Sequence, residues 1–387
     1  MSALNDRIPV TILTGFLGAG KSTLLNRILK DPEMKDAAVI INEFGDVGID
    51  HLLVESSGDS IIELSDGCLC CTVRGELVDT LANLMDAVQT GRVKPVKRVV
   101  IETTGLADPA PVMQAIMGNP VIAANFELDG VVTVVDAVNG LQTLDNHEEA
   151  RKQAAVADRL IVSKTSLAGA TAGLEQRLRA LNPRAAMMDA DSTDASSAAV
   201  LVNGLYDPAT KIADVGRWLR DEDGHEAHHH HDHAGGHHSY LHDHHDHDGA
   251  HAHQHAHDVN RHDASIRSFS IIEGKPIDPM ALEMFIDLLR SAHGENLLRM
   301  KAIVSVSDRP ERPLVLHGVQ SIFHPPVRLA AWPDPSDRRT RMVLITKGLP
   351  EAFVKELFDA FLGKPRIDRP DRAALSDNPL AIPGMRM

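Results

Sequence analysis

Two short segments of the N-terminal quarter carry the residue types most able to do chemistry. Gly15-Phe16-Leu17-Gly18-Ala19-Gly20-Lys21-Ser22-Thr23 satisfies G-x-x-x-x-G-K-[ST] in full. Glycines let backbone N–H groups close around phosphate oxygens, a helix N-terminus adds its positive end, Lys21 reaches the β- and γ-phosphates, and Ser22 can ligate Mg²⁺. Gly67-Cys68-Leu69-Cys70-Cys71 holds every cysteine of the chain. Thiolates this close cannot easily form an unstrained disulfide with one another, and Cys68, Cys70 and Cys71 instead suit a soft or borderline ion such as Zn²⁺ or Cu⁺. The competing reading is three small hydrophobes on a turn.

The elements around these segments are of the right kind. Residues 8–14 form an apolar, β-branched run that reads as a buried parallel strand, and residues 22–29 carry Leu and Ile at helical spacing. Strands are predicted at 37–41, 96–101, 130–135, 159–162 and 185–188, with helices at 76–88, 109–117 and 173–181. That alternation predicts an α/β domain, a mainly parallel sheet covered on both faces. Val99-Val100-Ile101-Glu102-Thr103-Thr104-Gly105 is a strand ending in an acid and then a glycine, so that Glu102 can reach a Mg²⁺ shell and the Gly105 amide the γ-phosphate. Asn42-Glu43-Phe44-Gly45-Asp46 ends another strand. Ligands gather outside the carboxyl ends of such strands, so Glu43 and Asp46 are candidates for Mg²⁺, for the cysteine-bound ion, or for both, with a plain solvated turn the alternative for Asp46.

Composition narrows the partners. A formal charge of −15 argues against nucleic acid and suits cations. No run approaches the roughly 18–20 apolar residues of a membrane span, and the start of the chain lacks a signal-peptide core, which points to the cytoplasm, where thiols stay reduced. Between 225 and 262 lie 17 of the 22 histidines, interleaved with Asp, Gly and Ala, a composition that builds no core and reads as a metal-binding linker, with a merely solvating spacer the alternative. His228, His229, His230, His231 and His233 offer several alternative tetrahedral sets, which favours capacity over one geometry. Beyond the tract, strands at 266–272, 298–306, 314–318, 327–331 and 341–346 with helices at 278–290 and 350–361 predict a smaller α+β domain. The expected division is a phosphate-loop domain at 1–222, a histidine-rich linker at 223–263, the α+β domain at 264–364 and a loose tail at 365–387.

Together these residues resemble the CobW-like P-loop GTPases that act as metallochaperones. The likeness rests on residues 15–23, NEFGDVGID at 42–50, GCLCC at 67–71, ETTGLADP at 102–109, and a histidine tract ahead of a smaller domain. It implies GTP hydrolysis by the first domain, Zn²⁺ or Co²⁺ at Cys68, Cys70 and Cys71, and nucleotide-dependent delivery of that ion to a client metalloprotein. On this reading Lys21 and Glu102 serve catalysis, and the nucleotide is bound by Gly15, Gly18, Ala19, Gly20, Lys21, Ser22, Thr23, Gly105, Ser163 and Lys164. The chain departs from the family where Asn-Lys-x-Asp would read guanine, having Ser163-Lys164-Thr165-Ser166. Lys164 can still stack on a purine, but Ser166 cannot offer the bidentate carboxylate that pairs with the guanine N1 and N2 protons, a loss of about 1.5–3 kcal/mol. Weakened GTP preference, tolerance of ATP, and an acid supplied from elsewhere in the fold are the open outcomes. Zinc ranks ahead of cobalt on ligand type. The alternatives are a zinc buffer with incidental nucleotide hydrolysis, a cobalt chaperone for cobalamin synthesis, and a small-molecule kinase, which would gain nothing from the cysteines. Client and oligomeric state leave no mark in the sequence.

Overall fold

Consecutive β-branched and aliphatic residues give the first strand, β1 (Ile8–Thr14), whose side chains are buried on both faces of a sheet from Val10 onward. The computed structural model describes residues 7–41, 61–63, 73–192, 195, 197–202 and 266–364. In the first sheet β1 is joined by β2 (Ala37–Ile41), β3 (Ile61–Glu63), β4 (Arg98–Glu102), β5 (Phe126–Asp136), β6 (Arg159–Ser163) and β7 (Ala186–Asp189). The order is β3-β2-β4-β1-β5-β6-β7 and every pairing is parallel. β1 is thus central, flanked by β4 and β5, and the chain leaves all three toward the same edge.

The covering helices are α1 (Lys21–Ile28), α2 (Val73–Gln89), α3 (Ala110–Gly118), α4 (Pro120–Asn125), α5 (Gly140–Asn146), α6 (Glu148–Ala155) and α7 (Ala172–Leu181). One core lies under α2 and α3, with Leu81, Met113 and Phe126 buried against Ile12 and Ile101; another lies under α1, with Leu24, Leu25 and Ile28 against Leu13 and Val134. β5 is longer than the predicted 130–135. Its first residues hold Glu127 and Asp129, which break the apolar run, yet Arg7 takes Glu127 at 3.1 Å and Arg98 takes Asp129 at 2.6 Å, so both acids fit inside the sheet.

The second sheet is antiparallel: β8 (Ile266–Glu273), β9 (Leu297–Val304), β10 (Leu314–Val319), β11 (Ile322–Phe323) and β13 (Thr340–Lys347) in the order β11-β10-β9-β13-β8, with β12 (Val327–Arg328) paired to β10. β12 stops short of the predicted 327–331 because Leu329 and Trp332 turn inward to a small core with Ile303. Two helices, α8 (Pro279–His293) and α9 (Glu351–Phe361), cover one face through Phe285, Leu289, Val354 and Phe358. Asp278 caps α8 by accepting from Met280 N and Ala281 N, and Pro279 follows at the first turn.

Strand alternation sends the remaining side chains to the opposite face. Ile266, Leu298, Val319 and Ile345 join the core beneath α3, so the two sheets share one apolar layer. Arg299 and Lys301 of β9 reach from the same face to Asp158, just before β6.

Candidate functional site

The loop from Gly15 to Gly20 owes its path to backbone conformations that only glycine takes cheaply. Gly15, Gly18 and Gly20 all have positive φ, and a Cβ on Gly15 would sit 2.3 Å from the Val134 carbonyl oxygen. The chain therefore turns tightly over β5 and enters α1 with its first amides turned toward the loop. Lys21 Nζ lies 3.0 Å from the Gly15 carbonyl oxygen and 3.4 Å from that of Phe16, folded back over the loop it would share with a phosphate. Thr23 is exposed one residue beyond Ser22.

β4 brings its acid to the same place. Leu13 of β1 is in register with Glu102, and Ser22 Oγ donates to Glu102 Oε1 at 2.8 Å. Thr103 is fixed by its N–H to the Leu13 carbonyl and by its hydroxyl to Thr14 Oγ1 at 2.8 Å. Gly105 then passes so near the phosphate loop that a Cβ would lie 2.6 Å from Leu17 N. Serine hydroxyl and carboxylate side by side are hard oxygen donors, the set that Mg²⁺ takes beside a phosphate.

The far side of the cradle is strapped by β6. Ser163 Oγ donates to the Ala19 carbonyl at 2.6 Å. Lys164, at φ 58°, sends Nζ to the Gly18 carbonyl at 2.8 Å and to Asp136 Oδ2 at 2.7 Å. Its ammonium is thus committed to the loop, leaving the aliphatic stem for a base. Burial pushes the Asp136 pKa up, but Lys164, the Val138 amide and Asn139 together outweigh it and hold the carboxyl below its ordinary value. With those partners Asp136 is occupied. Ser166 is exposed on the turn that follows.

The predicted nucleotide residues Gly15, Gly18, Ala19, Gly20, Lys21, Ser22, Glu102, Gly105, Ser163 and Lys164 therefore converge on one sheet edge. Sequence reasoning passed over two others. Asp136 ends β5 as Glu102 ends β4, and that repeated strand-end acid was the available signal. Gln153 of α6 donates from Nε2 to the carbonyls of Gly105 at 3.1 Å and Ala107 at 2.9 Å, with nothing in the local sequence to mark it.

The predicted metal ligands Cys68, Cys70, Cys71, Glu43 and Asp46, and the reservoir residues His228, His229, His230, His231 and His233, lie outside the described residues. Among the described residues no three His, Cys, Asp or Glu side chains cluster as a metal site, and no helix is long and apolar enough to cross a membrane.

Comparison with known proteins agrees with this geometry. The CobW/HypB/UreG nucleotide-binding domain family matches residues 9–189, and the cobalamin synthesis protein cobW C-terminal domain family matches residues 266–362. Zinc chaperone YjiA of Escherichia coli is 30% identical over 355 residues, covering 91% of this chain and 98% of YjiA. Zinc chaperone CobW of a Sinorhizobium species is 30% identical over 394 residues, 93% of this chain and 99% of that protein. The crystal structure of Zn(II)-bound YjiA GTPase from E. coli superposes with a TM-score of 0.61 at 26% identity, covering 92% of this chain and 99% of that one.

Proposed function

The chain belongs to the CobW family of P-loop GTPases, both of whose characteristic domains it carries, and from that premise we propose that it loads zinc and delivers it to a client metalloprotein under control of GTP. The observation that carries the reading is the complete cradle. Lys21, the phosphate-loop amides, the Ser22 and Glu102 pair and the close-lying Gly105 meet at one sheet edge, in a chain that matches two zinc chaperones over nearly their whole length.

In this reading Lys21 leaves the Gly15 and Phe16 carbonyls and turns to the β- and γ-phosphates, while the amides of Gly18, Ala19 and Gly20 close around them. Ser22 and Glu102 would hold Mg²⁺, which would supply charge neutralisation beside the phosphates. Glu102, fixed by the Ser22 hydroxyl, and Gly105, through its amide, border the γ-phosphate and orient it for attack by water. Ser163 keeps the loop in shape through the Ala19 carbonyl, the exposed Thr23 lies open to the nucleotide, and the Lys164 stem lies along the base. Catalysis is mainly positioning and charge neutralisation.

Zinc is the cargo. Cys68, Cys70 and Cys71 supply thiolates, Glu43 or Asp46 completes the set, and the 225–262 tract, with His228, His229, His230, His231 and His233, is a reservoir that raises the local ion concentration. Cobalt is the second ion by the same ligand chemistry. The chain works in the cytoplasm, and its parts divide at about 222, 263 and 364 into GTPase domain, linker, C-terminal domain and tail.

Zinc-loaded protein mixed with a fluorescent chelator tests the reading. With GTP, capture of zinc should accelerate at the rate of phosphate release, and a non-hydrolysable analogue should hold the ion. Joint replacement of Cys68, Cys70 and Cys71 by Ala should abolish that dependence. Capture at one rate with every nucleotide would overturn the chaperone reading and favour a buffer.

A further inference from the structure

Helix α6 touches both ends of a line that runs from the phosphate loop to the second sheet. At one end Gln153, 1% exposed, spends its amide on two carbonyls of the segment that follows β4, those of Gly105 and Ala107. Its Oε1 is buried without a hydrogen-bond partner among the described residues, so the side chain's hydrogen bonding there is all donation. Its backbone carbonyl accepts Thr133 Oγ1 at 2.8 Å, which fixes the helix to β5. One residue earlier, Lys152 Nζ lies 2.9 Å from Asp108 Oδ2, farther along the same segment. Burial lowers the Lys152 pKa, but Asp108 and Glu148 outweigh it and keep the ammonium charged.

At the other end α6 is held by the second sheet. Lys347 of β13 pairs with Glu148, and that contact is the largest cause of the lowered Glu148 pKa. Arg299 of β9 donates to the Val156 carbonyl just past the helix, and its second nitrogen takes Asp158 at 2.8 Å. Asp108, Lys152, Glu148 and Lys347 thus form an unbroken chain of opposite charges, Lys152 reaching Glu148 at 3.3 Å.

The segment gripped by Gln153 is the one whose placement matters most. Gly105 is pressed against Leu17 so closely that no Cβ fits, which leaves no slack between it and the phosphate loop. A displacement there must move either the phosphate loop or α6.

We propose that Gln153 is a positioning residue for GTP hydrolysis, holding Gly105 where its amide meets the γ-phosphate, and that α6 carries this position through Glu148 and Lys347 to the C-terminal sheet. The inference rests on the GTPase reading above. The C-terminal domain then feels the presence of the γ-phosphate, and by reciprocity whatever binds that domain changes the affinity for GTP relative to GDP. α6 is the shared rigid element whose placement both sites bias.

The test uses the full chain and three measurements on each variant: affinity for GDP, affinity for a non-hydrolysable GTP analogue, and kcat for phosphate release. Gln153→Met keeps length and volume and donates nothing. GDP affinity should stay within about twofold while the analogue-to-GDP affinity ratio and kcat fall about tenfold, the loss of two donated bonds. Lys347→Met, which breaks the link to Glu148 and leaves the Lys152 pair intact, should lower the ratio with GDP affinity unchanged, and Lys347→Arg, which keeps the charge, should restore it. An unchanged ratio and kcat in Gln153→Met, or an unchanged ratio in Lys347→Met, would overturn the proposal. Should Gln153→Met fail to fold, the two Lys347 variants decide alone. Wild-type protein that neither binds nor hydrolyses GTP would instead sink the function proposed above, so the two failures are distinct.

Discussion

The phosphate cradle and the seam between the sheets both concentrate charge, yet they are wired in opposite ways. At the cradle the ammonium of Lys21 rests on the carbonyls of Gly15 and Phe16, neutral acceptors that a phosphate can replace. At the seam Asp158 receives Arg299, Lys301 and the Val131 amide, with side-chain exposures of 3% for Arg299 and 8% for Asp158. Burial pushes the Asp158 carboxyl up, but the two cations and the amide outweigh it and hold it well below the usual carboxylate range. One site is built to exchange partners and the other to keep them. That division suits a protein whose phosphate loop binds and releases while its domain contact endures.

The sharpest way to break the comparison is at the seam. Asp158→Ala leaves the buried Arg299 and the half-buried Lys301 without their anion, and stability should fall by about 3–5 kcal/mol, read from denaturant unfolding. Acid should attack the same place. His317 accepts from Arg299 Nε at 3.2 Å and faces Asp158 and His324, and burial pushes its pKa down to about 4 from an ordinary 6.5. The unfolded chain therefore takes up a proton that the folded chain refuses, so this stability is fully present above pH 6.5 and is lost as pH falls toward 4, by about 3 kcal/mol in all. His317→Gln should flatten that slope. Asp158 adds a further loss only below the ordinary carboxylate pKa, because its own folded value is lowered.

At the cradle the expected effects are on ligands rather than on stability. Lys21→Ala should weaken GTP binding about a hundredfold, the worth of one charge-assisted contact to phosphate, with little change in melting. Ser166→Asp should raise the preference for GTP over ATP about tenfold by restoring an acceptor for the guanine N1 and N2 protons, measured as the ratio of the two affinities. Equal ratios in both proteins would mean that another acid already reads the base.

What the sequence disclosed follows the same contrast. The cradle was legible because its parts are local: β1, the glycine loop and α1 are contiguous, and Glu102 closes an unmistakable apolar strand. The resemblance to CobW-like GTPases, drawn from residues 15–23 and 102–109 among others, agrees with the families matched at 9–189 and 266–362. The α/β first domain and the α+β second domain also stand as expected. The seam was hidden. Arg299 and Lys301 alternate along β9 as solvent-facing residues would, and only the fold brings them to Asp158, more than a hundred residues away. α6 escaped for a related reason, since its buried face mixes the small Ala150, Ala154 and Ala155 with the polar Arg151 and Gln153, and no apolar helical period stands out against Glu148, Glu149 and Lys152.

The central claim is that zinc and GTP bias one another. Its most direct test is the zinc affinity of a variant lacking residues 225–262, by chelator competition, with GDP and with a non-hydrolysable GTP analogue, paired with the analogue's own affinity with and without zinc. The account predicts a shift of about tenfold or more between the two nucleotides, and the same factor in the reciprocal titration. Equal zinc affinities with both nucleotides would contradict it.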